Sequence, residues 1–186
     1  MGQALILIIV IAQLIIALGA ILLLIKALHK PTKHKALVRT GMGGTKVVIE
    51  GAVLVLPYMH QVEEVDLSIK TFTLRQTAYA KDNTMVIIDA LFYLGVHPDH
   101  DSVALAALEL GAERTFDQEA LKAFFEPKFA EAIKKVAAEW DSSTLVAQQE
   151  TLKLEILKTV GTNLNGYALD DCIINSIEVP STTQNY

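Results

Sequence analysis

From Ala4 to Ile25 the chain runs about 22 residues with Gln13 as the only polar side chain and Gly19 as the only glycine. An α-helix rises about 1.5 Å per residue, so this run reaches about 33 Å, enough to cross a hydrocarbon core of about 30 Å. Amphipathic helices of soluble domains keep a polar face, and this run has none. A cleaved signal peptide would show a basic start, a shorter apolar stretch and a small-residue cleavage site. Here the first basic residue is Lys26, and the apolar run continues past Gly19 and Ala20. Residues 1–30 are therefore expected to form a transmembrane anchor.

The flanks give the anchor a direction. No basic residue precedes it, whereas Lys26, Lys30, Lys33, Lys35 and Arg39 come after it, with no acid before Glu50. Basic flanks stay on the cytoplasmic side, which predicts a cytoplasmic domain behind a single span. The same five residues form a candidate membrane-surface cluster, each contributing about 1 kcal/mol near anionic headgroups. His29 and His34 lie among them and would add charge on acidification.

The rest of the chain has the opposite balance. All 21 acids fall after residue 35, against 12 basic residues, which leaves residues 36–186 at −9. An acidic domain without a basic stripe excludes nucleic acid as an expected partner. One cysteine, Cys172, precludes an internal disulfide and suits a reducing compartment. About 150 residues suffice for one domain with its own core.

After Pro31 the continuous apolar run gives way to short strands. Ala36–Thr40 and Lys46–Glu50 flank the glycine-rich stretch 41–45, which reads as a hairpin tip. Gly51–Leu56 is apolar and ends at Pro57. Val65, Leu67 and Ile69 occupy odd positions, Phe72 and Leu74 even ones, so a bulge or break is expected near Lys70–Thr71. Thr84–Val96 is a long strand, apolar on both faces and therefore placed centrally. A short helix over Ser102–Leu110 should end at Gly111. Asp117 should cap a helix with the stripe Leu121, Phe125, Phe129, Ile133, Val136 and Trp140, kinked or divided at Pro127. A third helix comes after Ser142 and Ser143, carries Leu145 to Leu164 on one side and is stopped by Asn165-Gly166. The last strand covers Tyr167–Val179, with Leu169, Ile173, Ile177 and Val179 in phase.

Strands, then helices, then one returning strand describe an α+β domain. Residues 31–97 make its strand-rich part and 98–180 its helical part. Residues 181–186 form a polar tail expected to be disordered.

Five stretches taken in order resemble the SPFH (band 7, prohibitin-homology) domain of flotillins, in its bacterial single-anchor form. They are residues 36–51 (ALVRTGMGGTKVVIEG), 56–66 (LPYMHQVEEVD), 91–98 (LFYLGVHP), 124–141 (FFEPKFAEAIKKVAAEWD) and 166–180 (GYALDDCIINSIEVP). The resemblance implies a non-catalytic, membrane-anchored scaffold of the bacterial inner membrane, without cofactors. Such proteins form large homo-oligomers at membranes and organise membrane microdomains, often beside a membrane protein of the NfeD type. An anchored monomeric adaptor, regulating a partner membrane protein or protease, is the alternative. Family members usually continue into a long Ala/Glu-rich coiled coil, and Tyr186 comes before any such segment.

Several motifs invite a sharper reading but suit a plainer role. The stretch Gly41 to Lys46 lacks the Lys-Ser/Thr after its last glycine, and a strand comes next, so a hairpin outweighs a phosphate loop. His97, Asp99, His100 and Asp101 have metal-ligand chemistry, but Pro98 and the helix start behind it favour a cap. His60 stands isolated in the sequence. Asp82, Asp89, Asp170 and Asp171 have no serine or histidine at a readable spacing, so no enzyme is expected. Cys172 reads as buried packing. Trp140 and Phe124, Phe125 and Phe129 read as core. Val53, Leu54, Val55, Leu56 and Tyr58 leave two readings open: a buried strand, or a loop dipping into the inner leaflet with Tyr58 at the headgroups.

Overall fold

A computed structural model describes residues 2–55, 59–162 and 164–180, with Ala4 and Leu5 described by backbone alone. The anticipated tail, 181–186, lies outside the described residues. The first element is helix α1 (Gly2–Ala27). Seven strands come next: β1 (Leu28–His29), β2 (Lys35–Gly41), β3 (Lys46–Val48), β4 (Val53–Leu54), β5 (His60–Asp66), β6 (Lys70–Tyr79) and β7 (Met85–Val96). Then come α2 (His100–Ala106), a π turn (Ala107–Gly111), a 3-10 turn (Glu113–Phe116), α3 (Gln118–Glu139), α4 (Ser142–Ala147), α5 (Gln149–Val160) and β8 (Tyr167–Glu178). The α+β class holds. All pairing is antiparallel, in three sheets ordered β1-β4, β3-β2-β5 and β6-β7-β8.

The glycine-rich stretch is the expected hairpin, with β2 paired to β3 across it. Gly41 has φ +125°, and a Cβ there would stand 2.3 Å from the Met59 carbonyl oxygen. Only glycine fits that position.

The change of apolar parity marks a break, as anticipated, and the break separates two sheets. The chain leaves β5 at Asp66 and enters β6 at Lys70. Asp66 holds the corner. Its carboxylate accepts the Ser68 N–H (2.9 Å) and pairs with Lys70 Nζ (2.7 Å), while its own N–H donates to Thr115 Oγ1 (2.9 Å).

Strand β7 is central because both its edges are hydrogen-bonded, to β6 and to β8. Its even residues, Val86 to Leu94, are fully buried. They meet α3 in a stack of Phe72, Phe92 and Phe129, with ring centroids 4.6–5.7 Å apart. The other face, with Ile87, Leu91 and Tyr93, is only half-buried, so its apolar character is not explained by cover from this chain. Phe125 joins the core against Phe129 and Tyr167, and Trp140 packs on its rim. Phe124 departs from the expectation, being exposed with its ring edge-on to Phe125.

Strand β8 corrects the expected phase. Asp170 and Asn175 are extra residues opposite β7, because the register shifts between Tyr93 and Leu94 and again between Asp89 and Ala90. Each bulge reverses the facing of the residues beyond it. Leu169, Cys172, Ile174 and Ile177 therefore face the core, while Ile173 pairs with Leu91 on the open side. Because β8 joins β7, the strand-rich and helical stretches share one core.

Asp117 caps α3 by accepting the N–H groups of Glu119 and Ala120. The helix runs on through Pro127 without division. The anticipated third helix is two helices, separated at Gln148, and it ends at Gly161 (φ +73°) rather than at Asn165-Gly166. That dipeptide, with both φ values positive, instead makes the two-residue turn closing Leu164 onto Tyr167.

Candidate functional site at the foot of the anchor helix

Every described apolar side chain of α1 up to Ile25 is exposed, and the first buried residue is Ala27. Residues Ile6–Ala27 form a helix long and apolar enough to cross a membrane, and the domain covers only its last residue, Ala27. A core helix of a soluble protein would be covered, so the length and the exposure together suit a lipid environment.

The helix passes directly into the domain. Leu28 pairs with Leu54 and His29 with Val53. The Val55 N–H donates to the Ala27 carbonyl at 2.8 Å. One of the carbonyls that a helix end leaves without an internal partner is thus satisfied by β4's neighbour. Arg39 Nη1 donates to the Leu54 carbonyl at 3.2 Å, so β2 also grips this small ladder. The Arg39 Nε is buried with no hydrogen-bond partner among the described residues.

This ladder divides the stretch that had two readings. Val53 is buried with Leu37 and Val48 in a small second core, flanked by Val55 and Val62. Leu54 points outward beside Leu28, and both are exposed. Strand alternation explains the split, since adjacent residues face opposite sides. Leu56 and Tyr58 lie outside the described residues.

The five basic residues do not act alike. Lys26, Lys30 and Lys33 are exposed. Lys35 is turned to Glu64 (2.6 Å) and lies over the Phe116 ring at 5.0 Å. Arg39 is spent on Leu54. Both belong to β2, where Glu64 of β5 and the Leu54 carbonyl of β4 supply their partners, which is why Lys35 and Arg39 leave the cluster.

The remaining candidates have structural roles. Asp99 caps α2 by accepting the Ser102 N–H (2.9 Å), and His97 Nδ1 lies 2.7 Å from its other oxygen. The Ser102 and His97 contacts hold the Asp99 carboxyl down at about 2. No group of three or more possible metal ligands occurs among the described residues. The fold does bring a serine to Asp82: Ser142 donates its N–H (3.1 Å) and its hydroxyl (2.7 Å) to the carboxylate. Those bonds hold Asp82 well below the usual carboxylate range. They cap α4 from a turn 60 residues away, a pairing no local spacing announces. Asn175 Nδ2 donates to Asp89, and Lys153 pairs with Asp171 at 2.7 Å. Cys172 is buried, and burial pushes its thiol up to about 12.

The exposed apolar helix, its hydrogen-bonded foot and the antiparallel α+β body define a membrane-associated domain. Residues 28–186 match the SPFH domain / Band 7 family, and the chain belongs to that family. It is 30% identical over 159 residues to the flotillin family inner membrane protein YqiK of Escherichia coli (strain K12). The match covers 82% of this chain and 29% of that relative, so the chain spans less than a third of the relative's length.

Proposed function

We propose that this chain is a membrane-anchored scaffold subunit whose SPFH domain self-associates in the plane of the membrane and organises microdomains. The observation that carries this reading is the union of an uncovered apolar helix with a domain hydrogen-bonded to its last turn. With no free linker between them, the helix fixes both the depth and the tilt of the domain. Confinement to a plane raises effective concentration, so weak lateral contacts suffice for assembly. Family membership supports a scaffold role, and the inner-membrane relative supports a bacterial inner membrane.

The basic flank supports a cytoplasmic domain, with Lys26, Lys30 and Lys33 at the headgroups. Leu28 and Leu54 are the apolar side chains we assign to the interface, beneath which Val53 belongs to the protein core. An NfeD-type membrane protein fits the same reading as a partner, by family resemblance.

Mass photometry of the full chain in mild detergent tests self-association. A large homo-oligomer is the expected result. A sharp monomer peak would favour the anchored adaptor.

A further inference from the structure

Behind the foot of the anchor the chain walls a cleft of about 710 Å³. One wall is the connection from β1 to β2, which carries Lys30, Lys33 and His34; the floor includes Ile49, Leu67 and Val96. A tight turn shapes the wall. Lys35 N–H donates to the Thr32 carbonyl (3.1 Å), His34 takes φ +59°, and its carbonyl accepts the Leu67 N–H (2.8 Å). That last bond ties the basic wall to the corner between the two larger sheets. A positive φ is uncommon outside glycine, so the turn is held by these bonds rather than by His34's own preference.

The cleft has free cations above an apolar floor. Lys30 and Lys33 are exposed and make no ion pair among the described residues. Lys35 lines it too, but its ammonium is committed to Glu64 and Phe116. Glu50, on the lining, is the single carboxylate there. Lys30 lies three positions beyond the last residue of α1, which limits its backbone to about 10 Å from the helix end. A headgroup layer occupies that depth.

We propose that this cleft binds the phosphate of one anionic phospholipid per chain, with Lys30 and Lys33 as its cationic contacts and the apolar floor under the glycerol end of the lipid. The proposal rests on the anchored reading above and deepens it, replacing diffuse attraction by a stoichiometric site. A phosphate chemistry could also be met by free phosphate, so the test separates the two sources.

The full chain is purified in mild detergent, supplied with phosphatidylglycerol and measured by native mass spectrometry. One retained lipid per chain is expected. Lys30→Gln with Lys33→Gln should lower retention about tenfold or more, since each basic residue acts at the surface. Lys26→Gln, in the same charged stretch but outside the cleft, removes one diffuse surface contact and should lower it by about fivefold at most, less than the cleft pair. Glu50→Gln should raise retention, a gain that misfolding cannot imitate. Equal losses from Lys26→Gln and the cleft pair would overturn the site in favour of diffuse attraction. Displacement of the lipid by millimolar inorganic phosphate would overturn the lipid assignment. Carbonate-washed membranes distinguish the parent reading, because release of the wild-type chain would overturn the anchor itself.

Discussion

The N–H of Val55 donates to the carbonyl of Ala27 across 2.8 Å, and this bond joins the end of the anchor helix to the domain. The adjacent pairs, Leu28 with Leu54 and His29 with Val53, extend the junction into a two-residue ladder. A flexible tether would have let the domain tumble below the membrane. This junction instead presents the Leu28–Leu54 face at one fixed position relative to the helix.

Neighbouring residues of that ladder should respond oppositely to charge. Val53→Asp places an unpaired carboxylate among Leu37 and Val48, at a cost of about 3 kcal/mol or more. Leu54→Asp, on the exposed side, should stay within about 0.5 kcal/mol. Urea denaturation of the full chain in detergent, monitored by the fluorescence of its single tryptophan, Trp140, measures both. A substitution at Val53 therefore tests the core, and one at Leu54 tests the membrane contact.

Two glycines separate conformational strain from close approach. At Gly166 (φ +85°) an added Cβ would meet the Ser102 carbonyl oxygen at 2.1 Å and the Ala106 nitrogen at 2.9 Å, both backbone atoms of α2. At Gly161 (φ +73°) the space is open. Gly161→Ala should cost about 1–3 kcal/mol, for a positive-φ extended conformation (φ +73°, ψ −175°) that is essentially glycine's own. Gly166→Ala should cost clearly more, because α2 must move as well. The same denaturation measurement ranks them.

The cap of α2 predicts a pH dependence. The folded carboxyl of Asp99 is lowered from 3.8 to about 2. A lowered folded pKa contributes stability that is full above the unfolded value and lost as pH falls through the folded one. Asp99→Asn imitates the protonated cap. Its melting temperature should lie below wild type at neutral pH, and the two should converge between pH 3.8 and about 2. Asp82, lowered by its bonds from Ser142, obeys the same sign. A gap that widened on acidification would contradict the assignment.

Cys172 should be silent in the folded protein. With its thiol at about 12, the thiolate fraction near neutrality is on the order of 10⁻⁵, and the sulfur is buried besides. Maleimide labelling should be slow in native conditions and rapid in denaturant, as read by intact-mass spectrometry.

Much of this architecture is legible in the sequence because its signals are local. The apolar run, the glycine hairpin, the Asp117 cap and the parity change between Ile69 and Phe72 each announce themselves within a few residues. The features that escape depend on contacts between distant segments. The bulges at Asp170 and Asn175 are set by pairing with β7, so simple alternation puts Ile173 on the wrong face. Leu164 keeps the helical spacing of its neighbours but sits in a turn beyond Gly161. The site is partly visible in the same way. The five basic residues are evident as a cluster, yet only partners such as Glu64 and the Leu54 carbonyl separate Lys35 and Arg39 from the free lysines. Likewise, the stretch 53–55 is uniformly apolar in sequence, and pairing with residues 28–29 divides it into a buried and an exposed side.

The silence of Cys172 makes one cysteine enough to test where the domain lies. Lys158 is exposed at 77% of its side chain, at the end of α5. A Lys158→Cys chain in bacterial cells, treated with a membrane-impermeant maleimide, reports the side of the membrane directly. Labelling only after the inner membrane is permeabilised is the predicted result. Labelling in intact cells would place the domain outside and contradict a cytoplasmic domain held by its N-terminal helix.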